Sequence, residues 1–124
     1  MSVVEDIVQS LFEFQINMKY YHWMTSSYPR HVASDRMNER MLDLVDRFVE
    51  VLIGHHGRPL LQSKKKTNKR TIEYDFRDDE SVKGYMKQFS NKLSGMLNMT
   101  NDLCTIRDDM VEAIHQALYL FELK

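Results

Sequence analysis

Apolar residues recur at steps of three and four along most of the chain, the spacing of one face of an α-helix. Val4, Ile7, Leu11, Phe14, Ile16 and Met18 mark a first helix over about 2–24. Ser26, Ser27, Tyr28 and Pro29 break it, and Pro29 also suits the opening turn of a new helix. Met37, Met41, Leu44, Val45, Phe48 and Leu52 form the stripe of a second helix over about 30–53, which the run Gly54-His55-His56-Gly57-Arg58-Pro59 ends. Val82, Tyr85, Met86, Phe89, Leu93, Met96 and Leu97 outline a third over about 79–99. A turn at Met99-Thr100-Asn101 follows, with Asn101 as the expected cap. Leu103, Ile106, Met110, Ile114, Ala117 and Phe121 give the fourth, over about 102–123.

Between the second and third helices lies a polar connector, about 62–79. It carries KKKTNKR (Lys64 to Arg70), and Ile72, Tyr74 and Phe76 alternate as in a short extended piece. Two short links and one long one predict an all-α fold: a single ferritin-like domain over 1–124, a four-helix bundle with one long crossover between helices 2 and 3. Only 4 Gly and 2 Pro in 124 residues agree with few, long helices.

Charge and cysteine usage narrow the setting. A net charge of -1 and a pI near 6.5 do not favour a dedicated nucleic-acid binder. The single Cys104 excludes an internal disulfide and fits a reducing compartment. The opening MSVVEDIVQS has no basic leader pattern, and no apolar run approaches the roughly 18 residues of a membrane span, so a cytoplasmic, membrane-free protein is expected.

The second helix carries the chemistry. With about 100° of turn per residue and Met41 at zero, its core residues lie within roughly 60°, while His31, Asp35, Asp46 and Glu50 fall between roughly 80° and 180°. A solvated face would account for three acids there. However, Val49 and Ile53 share the stripe, as if something covered it, and His31/Asp35 and Asp46/Glu50 are both i, i+4 pairs able to point at one spot. Imidazole with carboxylate suits iron, manganese or zinc. Asp35 and Asp46 are separated by about 16 Å of helix rise, so the two pairs cannot share a metal within one helix. Two antiparallel copies in a two-fold dimer would bring one pair against the other and create two equal sites.

Other candidates read as ordinary surface. Glu112, His115 and Asp108 sit opposite the core stripe of the last helix. His55 and His56 suit a helix C-terminus, and Lys64 to Arg70 is a weak phosphate-contact candidate. The nine Met are core filler.

At His22-Trp23 the chain meets a known pattern. Lys19 to Pro59 resembles the Dps mini-ferritins, the DNA-binding proteins from starved cells. In that family a His-Trp ends the first helix, a second His with Asp four residues on opens the next, and an Asp then a Glu four later precede a Gly-type helix end. Here these are His22-Trp23, His31 with Asp35, Asp46 with Glu50, and Ile53-Gly54. The resemblance implies a homodimer at least, with a higher oligomer open. It implies an intersubunit ferroxidase site that binds iron, singly or as a di-iron pair, and oxidises Fe(II) with peroxide or oxygen; zinc or manganese could substitute. His31 and Asp35 of one subunit would meet His22, Asp46 and Glu50 of the other, with Trp23 packed beside them. The alternative is a non-catalytic ferritin-like dimer with a binding or structural role.

Overall fold

A computed structural model describes residues 3–58, 79–96 and 98–123, with side chains from residue 6 onward. The described residues form four helices and no strand: α1 (Val3–Met24), α2 (Tyr28–His56), α3 (Ser81–Ser94) and α4 (Asn101–Phe121). The connector expected at 62–79, with its basic run and alternating TIEYDF, lies outside the described residues except for Asp79. No described helix is long and apolar enough to cross a membrane.

The apolar stripes predicted for α2 and α4 lie wholly in the core, whereas on α1 Ile16 turns to the surface groove, Tyr85 and Met96 are half-buried, and the Val4 side chain and Leu97 lie outside the described residues. Met37, Met41, Leu44, Val45, Phe48 and Leu52 of α2 are all buried, as are Leu103, Ile106, Met110, Ile114, Ala117 and Phe121 of α4. Helix α2 packs most extensively on α4 and next on α1, while α3 packs on α4. The fourth side closes through aromatics: the Phe14 ring stacks on Phe89 at 4.2 Å and on Tyr85 at 5.8 Å.

Helix ends differ from expectation for local reasons. Helix α2 runs through Gly54 to His56, because one helical Gly costs only about 1 kcal/mol. The stop is Gly57, whose φ of 85° is the left-handed conformation that glycine adopts freely. Its N–H donates to the Ile53 carbonyl at 2.7 Å. Helix α3 ends at Ser94, short of the expected 99; Met96 and Met99 still pack on the core from non-helical backbone, which is why the apolar spacing overran the helix. The cap of α4 is Thr100, not Asn101, which is the first helical residue.

At the other end, a three-residue link, 25–27, turns α1 into α2. Ser27 caps α2, its Oγ accepting from the Arg30 N–H, and Pro29 occupies the first turn. Arg30 is buried. Its guanidinium donates to the Tyr21 hydroxyl at 3.2 Å and to the Asp79 carbonyl, and lies 5.1 Å from the Phe121 ring centroid. Tyr21 and Thr25 donate to Asp79 Oδ1 at 2.6 and 2.8 Å. This clamp ties the α1–α2 corner to the approach to α3 and the end of α4. Burial, more than any neighbour, pushes the Tyr21 phenol above its ordinary pKa.

Candidate metal centre

The short link sets the last turn of α1 against the first turns of α2, and there His22, His31 and Asp35 meet. His22 is only 8% exposed. Its Nδ1 lies 2.8 Å from the His31 carbonyl oxygen, and His31 Nδ1 lies 2.8 Å from the His22 carbonyl oxygen. A carbonyl can only accept, so each ring carries its proton on Nδ1 and, when neutral, leaves a lone pair on Nε2. Ser34, fully buried, supports the arrangement: its Oγ is 3.3 Å from His22 Nδ1 and donates to the His31 carbonyl at 3.1 Å. The two imidazoles stack at 3.9 Å with planes 16° apart. Among the described residues neither Nε2 takes part in a hydrogen bond, and His22 Nε2 stands 3.8 Å from Asp35 Oδ1.

This corrects the grouping that the resemblance implied. His22 belongs with His31 and Asp35 of its own chain, because a three-residue link cannot carry it to the far end of α2. Asp46 and Glu50 are exposed, the nearer about 16 Å of rise beyond Asp35, and neither has a hydrogen bond or ion pair among the described residues. Trp23 is 63% exposed, edge-on to Tyr20 at 5.8 Å, with the Lys19 ammonium 5.6 Å from its ring. Within the chain it is not packed over the histidines.

The donor set suits a metal in kind. A ligating His usually donates its other ring nitrogen to a carbonyl or carboxylate, which fixes the tautomer and the ring. Both His22 and His31 do this. In number the set is short: among the described residues, no three His, Cys, Asp or Glu side chains converge on a point fit for an ion.

The face around these residues is half apolar, which the wheel had shown only through Val49 and Ile53. Phe12 (54% exposed) and Leu42 (66%) flank a groove of about 400 Å³ between α1 and α2, also lined by Ile16, Lys19, Asp35 and Glu39. Leu42 lies on the stripe that holds Asp35 and Asp46, so its placement could have been read from the same spacing.

The remaining candidates have local partners. Glu112 pairs with Arg40 at 2.8 Å, and His115 Nε2 is 3.0 Å from the Ser90 hydroxyl. His55 pairs with Asp102 at 3.1 Å. Asp102 is held below the ordinary carboxylate range, first by the Thr100 hydroxyl and then by His55. The basic stretch Lys64 to Arg70 lies outside the described residues.

Residues 22–121 match the model of a family of unknown function, DUF5856. The chain belongs to the DUF5856 family. The match begins at His22 and takes in all five candidate ligands, so in this DUF5856 protein the candidate centre lies within the family's domain. No curated protein matches the chain, and no solved structure does.

Proposed function

We propose that this protein is a ferritin-like iron protein, akin to the Dps mini-ferritins, with the long crossover of that fold between α2 and α3. In this reading it works as a two-fold dimer that binds Fe(II) and oxidises it with peroxide or oxygen. The observation that carries the reading is the His22–His31 pair: two imidazoles with Nδ1 committed to each other's carbonyls, and His22 Nε2 facing the Asp35 carboxylate at 3.8 Å. Register supports it further. A two-fold axis passing midway between positions 40 and 41 of paired α2 helices sets Asp35 opposite Asp46 and His31 opposite Glu50 at once.

Iron is the substrate. His22, His31 and Asp35 would hold it from one chain, and Asp46 and Glu50 from the other; zinc or manganese could take the same ligands. With peroxide as oxidant, two Fe(II) give one electron each, the O–O bond breaks, and two solvent protons complete two waters. The protein's part is to hold the ions, supply charge that stabilises Fe(III), and exclude bulk water behind Phe12 and Leu42.

Aerobic Fe(II) titration of the apo-protein, followed by ferric absorbance with and without peroxide, tests this. Fast, saturable oxidation that is lost in Asp46→Ala/Glu50→Ala is the expected result. Oxidation no faster than that variant's would instead leave the second reading, a non-catalytic dimer built on the same apolar groove.

A further inference from the structure

At the other end of α2, about 36 Å of helix rise from His31 to His55, the bundle holds a cavity of about 740 Å³. That is within the range of small-molecule pockets, roughly 300–1,000 Å³. Its floor is the end of the core: Ile7 of α1, Phe48 and Leu52 of α2 and Leu103 of α4, each under a tenth exposed. Met96 and Met99, on the non-helical strap between α3 and α4, form a wall. Asn98, with a φ of 62°, turns the strap between them. An apolar body seated there is taken out of water. Methionine adapts its shape to what packs against it, so the wall suits a body of variable outline.

The rim is polar, and its formal charge has one sign. Lys92, His55 and His56 line the cavity, and among the described residues no Asp or Glu does. Asp102, the acid bound to His55, is itself engaged by the Thr100 hydroxyl and the Leu103 N–H.

Lys92 supplies a second observation. It reaches from α3 to α1, where its ammonium donates to the Ser10 hydroxyl at 2.7 Å. Ser10 is buried and lies three residues beyond Ile7, on the same side of its helix, so the charge is held at the edge of the cavity. An ammonium has three donors. This one meets a neutral hydroxyl and, among the described residues, no carboxylate. A cation fixed beside an apolar cavity, with donors to spare, is arranged to receive an acidic group.

We propose that this cavity binds a small amphiphile with an apolar body and a carboxylate head, of the fatty-acid kind. The body lies on Phe48, Leu52 and Leu103 against Met96 and Met99, and the carboxylate pairs with Lys92. The site is separate from the histidine corner and does not depend on the iron reading.

Calorimetric titration of the full chain with decanoate, decanol and decyltrimethylammonium, each below its micelle concentration, tests this. The expected result is saturable binding of decanoate, at least about tenfold tighter than decyltrimethylammonium. Lys92→Met should weaken decanoate about tenfold and leave decanol bound no more weakly, the signature of a head-group contact. Met99→Trp, which fills the cavity from its half-buried wall, should abolish binding of both while helical circular dichroism is retained. Lys92→Met, at the surface, carries the test if that variant does not fold. Decanoate bound no more tightly than decyltrimethylammonium, or indifferent to Lys92→Met, would overturn the acidic head. Decanoate binding that survives in a folded Met99→Trp protein, or no saturable binding at all, would overturn the site.

Discussion

His31 and Asp35, in the first turns of α2, stand against a buried histidine from α1. Asp46 and Glu50, on the same face of the same helix, stand in solvent with no partner among the described residues. Both pairs have the same i, i+4 spacing, so the sequence pattern makes them look alike. The packing separates them. In the first pair His31 is fixed by the Thr25–Ser27 turn, by reciprocal Nδ1–carbonyl bonds with His22, and by Ser34 beneath, and Asp35 faces His22 at 3.8 Å. The second is displayed on a rigid helix that fixes its position but not its surroundings. On the proposed reading these would be the two halves of one shared centre, the first prepared within the chain and the second supplied by a neighbouring copy.

The contrast can be broken at either half. The largest effect expected is on iron. His31→Ala/Asp35→Ala and Asp46→Ala/Glu50→Ala should each weaken Fe(II) binding by more than the roughly 10–100-fold that a supporting partner alone is worth. They should differ in stability. The first variant disrupts a packed, hydrogen-bonded corner and should lose about 1–2 kcal/mol in urea unfolding of the chelated protein. The second should stay within about 0.5 kcal/mol of wild type. Equal destabilisation by both would mean that the second half is tied into the fold after all.

Next comes the clamp behind the prepared half. Arg30→Met should cost about 2–3 kcal/mol, measured the same way, because it strips donors from Tyr21 and Asp79 while Asp79 keeps some solvent contact. It should also weaken iron binding indirectly, by loosening the turn that carries His31. An Arg30→Met protein with wild-type affinity would show that the corner holds without the clamp.

The smallest effect lies at the far end of α2 and serves as a control. The Asp102 carboxylate has a lowered pKa, so its contribution to stability is present above the ordinary carboxylate pKa of about 4 and is lost as pH falls through its lowered value. Asp102→Asn should therefore flatten the acid limb of stability slightly and leave iron binding unchanged, as read by thermal melts between about pH 2 and 5.

Much of the bundle was legible because burial and period coincide. Every core residue expected on α2 and α4 is buried, and the three-residue link was marked by Ser-Ser-Tyr-Pro. The ends were less so: Gly54 looks like a stop but sits in open helix, with Gly57 the residue that takes the positive φ. Four of the candidate ligands could be picked from the spacing on α2 and His22 only from the family resemblance; their grouping could be read from neither. His22 joins His31 through a turn whose geometry no periodicity encodes. Nothing in the spacing singles out Arg30; its burial depends on Asp79 and Phe121, which are remote in sequence and arrive only with the fold. The exposed acids Asp46 and Glu50 gave the reverse difficulty, since within one chain they are indistinguishable from a solvated face.

Mixed-subunit complementation addresses the shared site most directly. His31→Ala/Asp35→Ala and Asp46→Ala/Glu50→Ala proteins are combined in equal amounts in chelator, loaded with Fe(II), and assayed for oxidation. Each alone should be inactive. Each mixed dimer restores one of its two sites, so the mixture should recover activity in proportion to the mixed dimers present, up to about half that of wild type. A mixture as inactive as its components, with mixed dimers shown to be present, would contradict a centre shared between two chains.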